Sequence, residues 1–186
     1  NQYICVMQKL ISNSFMVLCC LFTVALNGQT KYLFPEGLAI GSVHQYGREA
    51  LYSDGLAFQL YNAGIQPAAG GSLSFAGGSK KAEWTAIKPD SAGNFRSAAL
   101  GSGYLYLTYT SPKSQTAVLV ATGHSMVYVN GAPHAGDMYR YGWMNIPVQL
   151  KKGVNEIYIR SAGMGRYAMI NARLEFPLKQ LSILKT

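Results

Sequence analysis

The chain has 186 residues, a net charge of +8 at pH 7, 49% hydrophobic and 13% charged residues, and only 3 cysteines. That length suits one domain of ordinary size, and the hydrophobic content excludes a disordered chain. The basic excess is scattered: the adjacent pairs are Lys80-Lys81 and Lys151-Lys152, and no basic stripe marks a nucleic-acid site. A soluble basic surface is the expected result, with weak attraction to anionic glycans or cell-surface polymers as the alternative.

The first residues read as an export signal. Asn1 stands where a start methionine is absent, Met7 is the first Met, and Lys9 supplies a positive flank. Phe15 to Leu26 is an apolar run broken only by Thr23, about the length of a signal core and too short to span a bilayer. Gly28, or Ala25, offers a cleavage point. Residues 1–28 are therefore expected to be upstream residues and a signal peptide. Cys19 and Cys20 lack the small preceding residue of a lipoprotein signal, which argues against a lipid anchor. The expected location is periplasmic or extracellular. Because Cys5, Cys19 and Cys20 all precede the expected cleavage point, the exported part must be held by its core without disulfides.

Residues 31 to 62 carry apolar residues without a clear period, and 63 to 79, rich in Gly and Ala, read as loop. From Trp84 the β signal is strong. Trp84 to Ile87 predicts a short strand stopped by Pro89-Asp90. Tyr104 to Thr110 is rich in β-formers. The continuous apolar run Ala117 to Ala121 predicts a strand covered on both faces. A turn at Gly123 precedes Met126 to Val129, and Asn130-Gly131 is a hairpin signal. Ile146, Val148 and Leu150 alternate with other residues, and Pro147 within that run predicts a sheet edge. Lys152-Gly153 turns the chain into a strand where Ile157 and Ile159 alternate with Glu156, Tyr158 and Arg160. Tyr167 to Phe176 predicts a last strand, ended by Pro177. No long stretch has helical spacing. The expected fold is all-β, an antiparallel β-sandwich over residues 31–176, with 177–186 the start of a linker to a further domain.

The segment Gly123-His124-Ser125-Met126, after an apolar run, imitates a nucleophile elbow. That motif requires G-x-S-x-G opening a helix, and here Val127 fills the last glycine position and a strand follows. A tight hairpin turn is the expected structure, and a small hydrolase using Ser125 is the weakest of three functional readings. Gly101-Ser102-Gly103 lacks the third glycine of a dinucleotide fingerprint and precedes a strand. His44, His124 and His134 are far apart. Asp137 alone among acids stands near His134, too few oxygens for a Ca²⁺ site. No metal, cofactor or catalytic residue is expected.

Asp137, Tyr139, Arg140, Tyr141 and Trp143 gather aromatic and hydrogen-bonding side chains in one loop, the ingredients of a glycan site, and are the candidate ligand-binding residues. Tyr141 and Trp143 plugging the end of the sandwich, with Asp137 capping the loop, is the structural alternative.

The stretch VYVNGAPHAGDMYRYGWMNIPVQLKKGVNEIYIR resembles the galactose-binding-like jelly-roll domain found at the N-terminus of some exported bacterial α/β-hydrolases of prolyl-oligopeptidase or esterase type. The matching residues are Val129-Asn130-Gly131, Gly136-Asp137, Tyr139, Ile146-Pro147-Val148, Leu150, Lys152-Gly153 and Asn155-Glu156. The likeness covers residues 117 to 176 and fades before Trp84. It implies a jelly-roll, a non-catalytic accessory module, and a downstream catalytic domain as partner. An autonomous carbohydrate-binding module with a glycan partner is the competing reading. Gly153 suits the turn, and Asn155 is placed to bond local backbone as the next strand begins.

Overall fold

The structure, a computed structural model, describes residues 30–42, 54–62, 64–74, 81–137, 139, 142, 144–163 and 168–177. The expected signal peptide, both of its adjacent cysteines, His44, and the residues past Pro177 lie outside these. Among the described residues no helix is long and apolar enough to cross a membrane.

The strands are β1 (Thr30–Leu33), β2 (Gly37–Ile40), β3 (Ser72–Ser74), β4 (Lys81–Glu83), β5 (Thr85–Ile87), β6 (Asn94–Arg96), β7 (Tyr104–Ser111), β8 (Gln115–Thr122), β9 (His124–Val129), β10 (Ala132–Ala135), β11 (Asn145–Leu150), β12 (Gly153–Ser161) and β13 (Met169–Phe176). One α-helix, α1 (Gly55–Asn62), and a 3-10 turn at Ala98–Leu100 complete the set. A five-stranded sheet runs β1-β13-β8-β11, with β6 also on β13, and a six-stranded sheet runs β10-β9-β12-β7-β2-β5. Every pairing between these strands is antiparallel. The two sheets pack face to face as a β-sandwich.

Period-two alternation builds the core. Leu105 and Leu107 of β7, Ala117 and Leu119 of β8, Val127 and Val129 of β9, Ile157 and Ile159 of β12, and Ile170 and Leu174 of β13 all point inward and are buried. On β11 the pattern is strict, with Ile146, Val148 and Leu150 buried and their neighbours exposed. Each fully buried aliphatic side chain contributes about 1.5–3 kcal/mol of transfer free energy, so this interleaved set is the main source of cohesion.

From β6 onward the chain repeatedly changes layer. β7 lies in the six-stranded sheet, β8 in the five-stranded, β9 and β10 in the six-stranded, β11 in the five-stranded, β12 in the six-stranded and β13 in the five-stranded. The turn at Gly123 is therefore a corner between layers, which corrects the hairpin expected there. Its φ is +78°, and a Cβ would stand 2.2 Å from the Met169 carbonyl oxygen. Only glycine fits this corner.

Several turns match the sequence. Asn130 (φ 50°) and Gly131 (φ 84°) join β9 to β10 with positive φ at both central positions, as a type I′ hairpin demands. Pro147 lies on the edge strand β11, opposite Val118. Asp90 ends the preceding segment by accepting from the backbone N–H groups of Ala92 and Asn94, the Asn94 amide and Arg96 Nε. These donors hold its carboxyl at about pKa 2.

Three expectations need correction. β8 is internal to its sheet, but Val118 and Val120 on its outer side are only half-buried, so the strand is sealed on one face and not both. The stretch 63 to 79, read as loop, contains strand β3, and 31 to 62, without a clear period, ends in α1. Finally, Trp84 precedes β5 instead of opening it; it is 3% exposed and packs with α1 residue Leu56 in a second apolar cluster on the outer face of the six-stranded sheet.

Candidate functional site

Ser125, in the segment that imitates a nucleophile elbow, is preceded directly by His124. The corner at Gly123 starts β9 and buries His124 completely. Its Nδ1 accepts from the Asp137 N–H at 3.4 Å, which leaves the proton on Nε2, 3.0 Å from the Ala121 carbonyl oxygen. Both ring nitrogens are thus spent on backbone. The Ser125 hydroxyl faces the carbonyl oxygens of Arg160 and Ser161, at 3.4 and 3.3 Å. Gly136 packs so closely on it that a Cβ there would come within 2.0 Å of the Ser125 carbonyl carbon. The arrangement ties β9, β12 and the Gly136-Asp137 segment together.

Burial pushes the His124 imidazole below its ordinary value of 6.5, outweighing the Ala121 carbonyl and the Asp137 charge. Burial also lowers His134 on β10. In both cases the unfolded chain takes up a proton at higher pH than the folded one. Folding stability is therefore full above pH 6.5 and declines as pH falls below it. Urea midpoints measured between about pH 5 and 8 are expected to be flat at the upper end and to fall below 6.5, before ordinary carboxylates titrate. In His134→Gln part of the decline, that due to His124, is expected to persist.

Of the predicted ligand residues, Asp137 and Tyr139 are among the described residues. Asp137 is 5% exposed, and its Oδ2 accepts from the Gly142 N–H at 2.6 Å. Tyr139 is 79% exposed. Arg140, Tyr141 and Trp143 lie outside the described residues. No group of three or more potential metal ligands occurs among the described residues.

A second constellation went unread in the sequence. Alternation puts Tyr104 and Tyr106 of β7, Tyr128 of β9, and Glu156, Tyr158 and Arg160 of β12 on the outer face of the six-stranded sheet. The register lines Tyr106, Tyr158 and Tyr128 up as direct cross-strand neighbours, with Tyr104 and Met126 flanking Arg160 in the next row. The Tyr106 and Tyr158 rings stand 4.8 Å apart, and Trp84 meets Tyr106 edge-on at 6.1 Å. The phenols are individually engaged. Tyr104 donates to Asp54 Oδ2, Tyr106 to Glu156 Oε1 at 3.0 Å, and Tyr158 to the Ile65 carbonyl at 3.1 Å. Burial raises the pKa of each, and the neighbouring carboxylates, Asp54 at Tyr104 and Glu156 at Tyr106 and Tyr158, add to it.

Asp54 joins this face to α1. Its Oδ1 caps the helix by accepting from the Ala57 N–H at 3.2 Å, and its Oδ2 also meets Arg160 Nε at 3.1 Å. The signal for this face was present in the sequence: Tyr-Leu-Tyr-Leu at 104–107 and Glu-Ile-Tyr-Ile-Arg at 156–160 assign one side of each strand to aromatic and charged residues.

Comparison of the chain with protein-family models, with curated proteins and with solved structures finds no match. The functional reading therefore rests on the geometry and on the motif resemblance over residues 117 to 176.

Two cavities lined by described residues flank these elements. One, of about 440 Å³, opens where β1 and β6 share the edge of β13, between Phe34, Pro35, Pro89, Asp90 and Asn171. Its main charged group, Asp90, is already occupied by its own loop. The other, of about 350 Å³, lies on the outer face of the six-stranded sheet against Tyr106.

Proposed function

We propose that this chain is a non-catalytic β-sandwich module of an exported bacterial protein, an accessory domain that packs on, or presents substrate to, a downstream hydrolase domain of the same polypeptide. The observation that carries the non-catalytic reading is the use of the His124-Ser125 pair: the imidazole and the hydroxyl are both bonded to backbone within the sandwich. A general base must lie within hydrogen-bond reach of the proton that it removes, and the Ser125 hydroxyl faces carbonyl oxygens instead. The strand order supports a jelly-roll winding. Eight successive strands, β6 to β13, fall as β6-β13-β8-β11 in one layer and β7-β12-β9-β10 in the other.

The purified protein is expected to hydrolyse p-nitrophenyl esters and peptide anilides no faster than buffer, and Ser125→Ala to leave that background unchanged. Turnover abolished by Ser125→Ala overturns the non-catalytic reading. The coding sequence past Thr186 tests the accessory role separately. A frame continuing into a hydrolase domain is the expected result, and a stop codon directly after Thr186 overturns it.

A second reading, glycan recognition, is favoured by the exposure of Tyr139, which lies between Asp137 and its hydrogen-bond donor Gly142 in sequence. An exposed aromatic ring suits the apolar face of a sugar.

A further inference from the structure

We propose that the groove on the outer face of the six-stranded sheet, against Tyr106, is a binding subsite for a neutral saccharide unit. The inference rests on the glycan-recognition reading and places the ligand on the sheet, away from the Tyr139 loop. The groove encloses about 350 Å³ and is lined by Glu36, Leu38, Ala69, Ala86, Tyr106 and Thr108. That volume lies at the lower end of the roughly 300–1,000 Å³ usual for small-ligand sites.

Its chemistry is one-sided. The Tyr106 hydroxyl gives its hydrogen to Glu156, so the oxygen offers only lone pairs to a ligand. The Glu36 carboxylate is exposed, accepts only, and has no ion pair or hydrogen bond among the described residues. Thr108, directly across from Glu156 on β12, adds an exposed hydroxyl. Leu38, Ala69 and Ala86 supply an apolar wall. Two acceptors and one hydroxyl that can donate or accept, set beside apolar surface, suit a ligand that is dense in hydroxyls on one side and in C–H groups on the other, which describes a sugar ring. Glu36 within the groove and Glu156 behind Tyr106 disfavour an anionic sugar. The receptor is also pre-formed: Tyr106 is fixed by Glu156, by Trp84 and by Tyr158, whose own hydroxyl is tied to Ile65. Little ordering remains to oppose binding.

The test is affinity electrophoresis of the whole protein through gels containing xylan, galactomannan, mixed-linkage β-glucan or polygalacturonate. Retardation by at least one neutral polysaccharide, and none by polygalacturonate, is expected. Glu36→Gln and Thr108→Val change exposed side chains and leave the core intact; each is expected to weaken retention at least threefold, and the pair at least tenfold, with an unchanged urea midpoint. Tyr139→Ala separates the two sites. Retention lost in Tyr139→Ala but kept in the Glu36/Thr108 double variant overturns the groove and upholds the loop. Retention by polygalacturonate alone overturns the groove in favour of charge attraction to the basic surface. No retention by any neutral polysaccharide, with the protein folded, overturns both the groove and the glycan reading, while the accessory role stands on its own tests.

Discussion

Asn155→Ala is expected to lower folding stability by about 3 kcal/mol or more, since it strips partners from several buried polar groups at once. Asn155 is completely buried. Its Nδ2 donates to the carbonyl oxygens of Lys151 and Gly153, both at 2.9 Å, and of Tyr109 at 3.3 Å. Its Oδ1 accepts from the Lys151 N–H and from Asn130 Nδ2, both at 2.8 Å. Asn130 in turn takes the Glu156 N–H on its own Oδ1 at 3.1 Å and donates its backbone N–H to the Glu156 carbonyl at 2.8 Å. One amide thereby fastens the β11–β12 turn, the end of β7 and the β9–β10 hairpin. Asn155→Asp keeps the shape but turns a carboxylate toward carbonyl oxygens, and it is expected to cost at least as much. Urea denaturation of both variants checks this, with Asn130→Ala and the double variant completing a cycle. Coupling of about 0.5–3 kcal/mol is expected between the two asparagines. A loss below about 1 kcal/mol for Asn155→Ala would show that water or a shifted turn replaces the amide.

Asp54→Ala carries the next largest expected effect, about 2–4 kcal/mol. It removes an N-cap, typically worth about 1 kcal/mol, and leaves the buried Tyr104 hydroxyl without its acceptor, at about 1–3 kcal/mol. The Arg160 contact adds little to this sum, since the guanidinium side chain is 39% exposed and screened by solvent. Tyr104→Phe removes the hydroxyl while keeping the ring, so it is expected to cost less than Asp54→Ala. In the double variant the penalty of the stranded hydroxyl disappears, and the two effects are therefore less than additive. Urea midpoints of the three proteins measure this. Strict additivity would mean that Asp54 acts on α1 alone and does not dock it on the sheet.

The second half of the sandwich was legible because each strand there has one wet and one dry face. Ile146, Val148 and Leu150 announce their burial by alternation, and Asn130-Gly131 and Lys152-Gly153 announce their turns. That Asn130 and Asn155 meet could not be read, because pairing across 25 residues leaves no trace in local periodicity. α1 escaped for a different reason. Its eight residues carry no charge in the first or last turn, begin with Gly55, and are held mainly by the Asp54 cap and the burial of Leu56. The outer tyrosine face was missed because polar-side positions of a strand default to solvent in a pattern argument, and only the register reveals that Tyr106, Tyr158 and Tyr128 stand abreast. Of the predicted ligand loop, Asp137 and Tyr139 can be placed: the first is buried and the second exposed.

The lacing of β6 to β13 between the two layers has a kinetic consequence. Thr30 at one end of the described chain lies beside Phe176 at the other, and no layer contains a run of neighbours long enough to assemble alone. Most stabilising pairings must wait for distant segments to find each other, so folding is expected to be slow and all-or-none, without a surviving half-sandwich. A chain emerging from a ribosome cannot complete this domain until β13 has cleared the exit.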